Sequence, residues 1–148
     1  MPGCVNTFIN KDPWRNKQFC STKCAGTRIT SPKAARGKSG IRSDISAAIC
    51  FYSRWEANFA RILNLLGIKW EFQSKTFDLK FQKYTPDFYL PESSTYVEIK
   101  NFLSDYSRKR DEGFRKLYAD VKLALILKND YLKLQERFAP LIKTWEYS

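Results

Sequence analysis

The first clear periodic pattern in the chain is an apolar stripe at helical spacing. Its members recur every three or four positions: Trp55, Phe59, Ile62, Leu63 and Leu66. Ser53 and Glu56 form a capping-box pattern at its start, where serine and glutamate side chains satisfy free backbone amides. Gly67 is suited to end the helix. The sequence therefore predicts a helix that begins at Ser53 and ends near Gly67.

Alternating apolar and polar positions predict strands after this helix. Trp70 and Phe72 mark the first strand, and Phe77, Leu79 and Phe81 mark the second. A further strand ends near Leu90, another begins at Tyr96, and the last covers residues 123–127. A basic helix is predicted over residues 107–121 and a final helix over residues 131–138. The order α-β-β-β-α-β-α, with the third strand element split at Pro91, predicts one α/β domain over residues 50–148.

Residues 84–88 and 96–100 place charged groups on two neighbouring strands. Because alternate side chains share a face, Glu98 and Lys100 project together. The turn at residues 91–94 can fold Asp87 back beside Glu98. Paired Asp and Glu side chains suit magnesium, which takes oxygen ligands, and Lys100 can orient the attacking water or offset charge on a phosphate. This pattern predicts a hydrolytic metal site for phosphodiesters.

A surface hairpin with merely solvated charges is the alternative, since Glu and Lys are mostly exposed in proteins. Four apolar residues on the same two strands favour a core hairpin instead: Phe88, Leu90, Val97 and Ile99.

Charge is concentrated near the N-terminus of a chain whose formal net charge is +11. Residues 1–45 hold nine Lys and Arg against two Asp. Such a segment indicates a polyanionic partner, most simply nucleic acid; a basic tail that only aids solubility is the alternative. Histidine is absent, which excludes imidazole as base, nucleophile or metal ligand.

The N-terminal region divides into a cysteine-containing module and a basic arm. Residues 1–30 resemble half of a zinc-finger-like module, and the predicted structural zinc ligands are Cys4, Cys20, Cys24 and Cys50. A finger that keeps its shape without metal is the competing interpretation, and Cys50 also fits a small buried thiol. Residues 31–49 are interpreted as a linker whose basic residues could follow phosphates or enter the minor groove: Lys33, Arg36, Lys38 and Arg42.

Four ordered segments resemble the PD-(D/E)xK nuclease superfamily, and within it the small phage endonucleases of the homing and junction-resolving endonuclease I types. The segments are residues 51–56, 67–72, 84–91 and 96–100, so the resemblance covers about residues 50–118. It implies a restriction-endonuclease-like αβββαβ core, a mixed sheet flanked by helices, following a small basic N-terminal module.

The resemblance also implies a site. The catalytic residues would be Glu56, Asp87, Glu98 and Lys100, and Mg²⁺ or Mn²⁺ would be held by Asp87, Glu98, the Ile99 carbonyl and Glu56. Glu56 has a second interpretation as the helix cap. Contacts with DNA are predicted for Arg54, Arg108, Lys109 and Arg110, although a charge run on a helix is also typical of a solvated face.

Three functions follow from these observations. The first is a Mg²⁺-dependent homing-type endonuclease that cuts a defined site in double-stranded DNA, as a homodimer or larger homo-oligomer. The second is a nuclease that resolves four-way or branched DNA, and the third is a non-catalytic DNA-binding protein. No membrane helix or signal-peptide pattern is evident, so we expect a cytoplasmic protein near the nucleoid of a bacterial or phage-infected cell.

Overall fold

The computed structural model describes residues 39–147 of the chain. In this part the strands are β1 (Gly40–Arg42), β2 (Ser46–Phe51), β3 (Glu71–Phe72), β4 (Phe77–Asp78), β5 (Lys83–Tyr84), β6 (Phe88–Leu90), β7 (Thr95–Ile99) and β8 (Lys122–Ile126). The helices are α1 (Arg54–Leu65), α2 (Asp105–Leu117) and α3 (Lys128–Phe138), with short 3₁₀ helices at Pro91–Ser93 and Ala139–Leu141. None of these helices is long and apolar enough to cross a membrane.

The central sheet has four strands in the order β3-β6-β7-β8. Strands β3 and β7 run antiparallel to β6, whereas β8 runs parallel to β7. A parallel neighbour needs a long crossover connection, and α2 lies in the connection between β7 and β8. The chain is therefore a mixed α/β protein, and this coarse prediction is confirmed.

One hydrophobic core lies on each side of β7. Val97 and Ile99 belong to the larger core, together with Phe59 of α1 and Tyr131 of α3. Tyr96 packs against the smaller core, which is built from the β4–β5 hairpin, α2 and β8: Phe77, Leu79, Tyr84, Phe114 and Leu123. Because side chains alternate along a strand, Glu98 lies on the same side as Tyr96. The sheet therefore directs Glu98 toward α2.

The caps of α1 form as the sequence predicts. Ser53 Oγ accepts a hydrogen bond from the Glu56 amide at 3.2 Å, and Glu56 Oε2 accepts one from the Tyr52 amide at 2.8 Å. At the other end Gly67 adopts a positive φ of 67°. The Ile68 amide then reaches back to the Leu63 carbonyl at 2.9 Å, which closes the helix in a Schellman motif.

Residues 40–49, expected to belong to a linker, instead form most of a hairpin. Strands β1 and β2 pair antiparallel, and Ile45 and Ile49 pack against the larger core. The isoleucines at 41, 45 and 49 are an even number of residues apart, so along an extended chain they share one face. That face packs on the larger core, which holds the hairpin in place.

A buried set of ion pairs, here called the structural ion network, joins this hairpin to α1 and the C-terminal segment. Arg42 donates two hydrogen bonds to the Glu146 carboxylate, at 2.9 and 2.8 Å. Arg61 lies 2.7 Å from Asp44 and 2.9 Å from Glu146. Arg42 was expected to contact DNA, but it is only 5% exposed, and the carboxylate of Glu146 that it binds is also buried. Its guanidinium therefore stabilises the fold and is not available to a phosphate.

Candidate functional site

Asp87 and Glu98 lie opposite each other where β6 begins and β7 ends. Phe88 pairs with Val97 in the antiparallel register, and one step further places Asp87 opposite Glu98. Directly opposed residues have Cβ atoms about 4.5–5.5 Å apart. The Ile99 amide donates to Asp87 Oδ2 at 2.8 Å, which holds the side chain across the strand pair. The fold thus brings together the two carboxylates that the sequence singled out.

Asp87 is placed where a negative charge is unfavourable. Burial, followed by the Glu98 carboxylate, raises the pKa of Asp87 well above its ordinary 3.8. Glu56 acts in the same direction, while the Ile99 amide and Lys100 oppose the shift. Like charges in a partly buried site disfavour ionisation. A cation bound here would relieve that repulsion.

Glu98 is only 5% exposed, and its two oxygens differ. Oε1 accepts a hydrogen bond from Arg110 Nη2 at 2.7 Å and lies 3.3 Å from Lys100 Nζ. Oε2 is buried and has no hydrogen-bond partner among the described residues. Leaving a buried acceptor unpaired costs about 1–3 kcal/mol. An oxygen of this kind is suited to a ligand that supplies positive charge.

Glu56 serves the helix cap, and its charge also acts on the site. Oε1 accepts from the Ser53 hydroxyl at 2.8 Å and Oε2 from the Tyr52 amide. Burial raises the pKa of Glu56, and the Glu98 carboxylate contributes. Glu56, Asp87 and Glu98 are called the acidic cluster below. A direct role of Glu56 in holding a metal stays a prediction.

Asp87 and Glu98 carry donor atoms of the kind that a hard divalent cation takes. Asp87 and Glu98 offer carboxylate oxygens, one of them unpaired. Within residues 39–147, no group of three or more His, Cys, Asp or Glu side chains is arranged to hold a metal ion. Mg²⁺ is usually bound by one or two carboxylates and completes its shell with water and substrate phosphate. The pair therefore suits Mg²⁺ better than a closed structural metal.

A cleft of about 600 Å³ opens beside Glu56 and Lys100, and neither Asp87 nor Glu98 lines it. Its lining includes Glu56, Ile99, Lys100, Arg54, Lys128 and Phe102. Three of these side chains are cationic, and the Phe102 ring is 71% exposed. Positive groups next to exposed aromatic rings are typical of grooves that bind nucleic-acid strands. The Ile99 carbonyl as a metal ligand stays a prediction.

The residues predicted to contact DNA have different environments. Lys33, Arg36 and Lys38 lie outside the described residues. Arg54 lines the cleft and donates to the Tyr147 carbonyl at 3.1 Å. Arg108 and Lys109 are exposed on α2. Arg110 is less exposed than Arg108 and Lys109, and its guanidinium is bound to Glu98.

Three of the four predicted zinc ligands, Cys4, Cys20 and Cys24, lie outside the described residues. Cys50 is a half-buried free thiol in β2. Its Sγ lies 3.9 Å from the Phe51 carbonyl oxygen. A zinc-binding role of Cys50 stays a prediction, because the other three predicted ligands lie outside the described residues.

The contact of Arg110 with the acidic cluster was not foreseen. The Arg110 guanidinium lies over the Tyr84 ring, 4.0 Å from its centroid. Burial, and next the Glu98 charge, raise the pKa of Tyr84. The sequence spacing could have predicted that Arg110 points inward, because Ser107, Arg110 and Phe114 share one face of α2. Since Ser107 and Phe114 are buried, that face points inward.

No protein-family model matches this chain, and no curated protein or solved structure matches it. The chemistry of the site is accordingly the basis for assigning a function.

Proposed function

We propose that the chain is a metal-dependent endonuclease that hydrolyses phosphodiester bonds in DNA. The observation that carries the proposal is the grouping of Asp87, Glu98 and Lys100 at one end of the β6–β7 pair, with a buried carboxylate oxygen left unpaired. Ionisable groups with perturbed pKa values beside a cleft are typical of functional sites.

The order of elements supports the proposal. Helix α1 precedes three antiparallel strands, β3, β6 and β7, and α2 then leads to the parallel strand β8. This order is compatible with the αβββαβ core of PD-(D/E)xK nucleases, with β1–β2 and β4–β5 as additional hairpins. A restriction-endonuclease-like core is part of what we propose.

Asp87 and Glu98 would hold Mg²⁺ or Mn²⁺, with the Ile99 carbonyl and Glu56 as further predicted ligands. When bound, a divalent ion supplies positive charge to the phosphate oxygens and lowers the pKa of a water molecule. Lys100 is 3.3 Å from Glu98 Oε1, and in this proposal its ammonium would orient a water or offset charge on the scissile phosphate. Arg54 and Lys128 of the cleft would pair with neighbouring phosphates.

The substrate can be a duplex site or branched DNA. A homing-type enzyme would read its duplex with residues 1–30, which lie outside the described part. The exposed Phe102 ring favours the second candidate, a nuclease for branched DNA, because bases whose stacking is interrupted at a branch point can stack on an aromatic side chain. Either enzyme needs two active sites to cut two strands, so a homo-oligomer belongs to the proposal.

The test is a nicking assay on supercoiled plasmid with the purified full chain. We expect nicking with Mg²⁺ or Mn²⁺ and none in a chelator. Asp87→Asn should remove the activity, whereas Asp120→Asn, which changes an exposed carboxylate before β8, should not. Binding of the plasmid without any nicking would instead indicate the non-catalytic DNA-binding protein.

The substrate is identified with synthetic DNA under the same conditions. A four-way junction and linear duplexes of matched sequence are compared for cleavage. Preference for the junction supports the resolving nuclease, and cutting of one duplex sequence supports the homing-type enzyme.

A further inference from the structure

Arg110 reaches from α2 to the carboxylate that the proposed nuclease needs for its metal ion. Its Nη2 lies 2.7 Å from Glu98 Oε1, the oxygen that also faces Lys100. Arg110 Nε is buried without a hydrogen-bond partner among the described residues, and so is Glu98 Oε2. The pair therefore makes one hydrogen bond and leaves a donor and an acceptor unused.

This geometry differs from that of an Arg–carboxylate pair built for stability. Such pairs favour two parallel hydrogen bonds, and Arg42 makes two to Glu146 in the same protein. The single contact between Arg110 and Glu98 is therefore the more easily exchanged of the two. An incoming cation that satisfies Glu98 Oε2 would gain what the guanidinium does not supply.

Tyr84 gives the guanidinium a second contact besides Glu98. The ring lies 4.0 Å below the guanidinium carbon, and Tyr84 itself packs edge-on against Phe114. Arginine stacks favourably on aromatic faces. Arg110 can thus release Glu98 and keep much of its packing.

We propose that Arg110 is a positioning residue that acts as a resident counter-cation. In the metal-free protein it neutralises and aims the Glu98 carboxylate; it is displaced when a divalent ion binds, and its fork of donors then binds a DNA phosphate. The inference rests on the proposed nuclease function. A divalent ion on Glu98 repels a guanidinium a few ångströms away, and a guanidinium matches phosphate geometry.

The exchange couples the binding of metal and of DNA. Without DNA, the divalent ion must displace Arg110, so its affinity is low. A phosphate that binds the displaced guanidinium removes this competition. Because such coupling is reciprocal, the metal must strengthen DNA binding by the same factor.

The experiment compares the wild-type protein with Arg110→Met. The control is Lys116→Met, which removes one positive charge from an exposed position on the same helix. Ca²⁺ is the probe ion, since it takes oxygen ligands, and its binding to DNA-free protein is measured by calorimetry. The affinity for a fluorescent duplex is measured by anisotropy with and without Ca²⁺. These readouts need no catalytic turnover.

We expect Arg110→Met to bind Ca²⁺ about tenfold more tightly than the wild-type protein without DNA, because a nearby positive charge is gone. Ca²⁺ should tighten duplex binding about tenfold in the wild-type protein and little in Arg110→Met. Lys116→Met should behave like the wild-type protein, and Arg110→Lys, which keeps the charge, should retain the weak Ca²⁺ binding. If Arg110→Met does not fold, Arg110→Gln provides the same comparison.

Unchanged or weaker Ca²⁺ binding by a folded Arg110→Met protein would overturn the inference and leave Arg110 with a structural role. If the wild-type protein nicks plasmid normally in that case, the proposed function stands and only the inference fails. If the wild-type protein neither binds Ca²⁺ nor nicks plasmid, the proposed function fails first and the inference fails with it.

Discussion

Two groups of buried charge in this protein are built in opposite ways. In the structural ion network the arginines match the acids, and Glu146 receives hydrogen bonds from both Arg42 and Arg61. In the acidic cluster three carboxylates act on one another. Arg110 and Lys100 both contact Glu98 Oε1, and Glu98 Oε2 has no hydrogen-bond partner among the described residues.

The pKa values follow the same division. The hydrogen bond from Arg61 lowers the pKa of Asp44, and burial raises the pKa of Asp87, with Glu98 adding to the effect. A fully paired network fixes one arrangement of the chain, whereas an under-paired one costs stability and is kept where a ligand completes it. The difference separates the charges that hold the fold from those that we propose to act on a substrate.

The largest expected effect concerns the acidic cluster. Asp87→Asn should lower the rate of plasmid nicking about 1000-fold, because several kcal/mol of metal-assisted stabilisation would be lost. The same change should raise the free energy of unfolding in chelator, since it removes one of the repelling charges. Nicking rates and urea denaturation measure the two. If Asp87→Asn lowered both the nicking rate and the free energy of unfolding, the acidic cluster would stabilise the fold as the structural ion network does, and the contrast between them would be wrong.

Arg61→Met should have the opposite effects: it should lower the free energy of unfolding and leave plasmid nicking largely intact. Removing the guanidinium leaves Asp44 without its main partner and Glu146 with one arginine, so the free energy of unfolding should fall by about 3 kcal/mol. Urea denaturation measures this change. Arg115→Met breaks a more exposed pair with Asp111 and a hydrogen bond to the Leu123 carbonyl. It serves as the control and should cost less, about 1 kcal/mol. Equal losses in both variants would contradict a special role for the network.

Phe102→Ala should weaken DNA binding without altering stability. Stacking of one base on an aromatic ring contributes about 1–3 kcal/mol, so we expect the affinity for branched DNA to fall at least about fivefold. Anisotropy with a labelled junction measures the affinity. Leu141→Ala, which removes another exposed apolar side chain, should leave it unchanged. No effect of Phe102→Ala would remove the ring from the proposed DNA-binding cleft.

The smallest effects concern pH. Although burial opposes it, the hydrogen bonds from Arg42 and Arg61 lower the pKa of Glu146 below its ordinary 4.5, and Asp44 is lowered from 3.8. Both therefore stabilise the fold above these values, and that stability is lost as pH falls through the lowered pKa values. The effect of Asp87 on stability has the opposite pH dependence. Because its pKa is raised in the folded protein, Asp87 favours the fold at low pH and costs stability as pH rises above 3.8.

Urea denaturation in chelator across pH 3–8, about the range in which carboxylates titrate, should separate the two signs. Arg61→Met should weaken the loss of stability on the acid side, and Asp87→Asn should weaken the loss on the side of rising pH. Parallel curves for all three proteins would show that neither group titrates as described.

Prediction from sequence succeeded where the cause was local. The capping box of α1 and the glycine that ends it involve residues at most five positions apart, and both form. It was less accurate at residues 77–81, which were expected to form one strand. Lys80 adopts a positive φ of 69°, so the chain turns into the β4–β5 hairpin and Phe81 is left 62% exposed. Apolar alternation did not reveal that turn.

The caps of α1 and the meeting of Asp87, Glu98 and Lys100 were predictable from the chain, because they depend on spacing within one helix and one hairpin. The partners of the buried arginines were not predictable in this way. Arg42 binds a carboxylate 104 residues away, and Arg110 reaches Glu98 because α2 packs over the sheet. Such pairs depend on how distant elements pack, and packing is a property of the folded chain that no local pattern encodes.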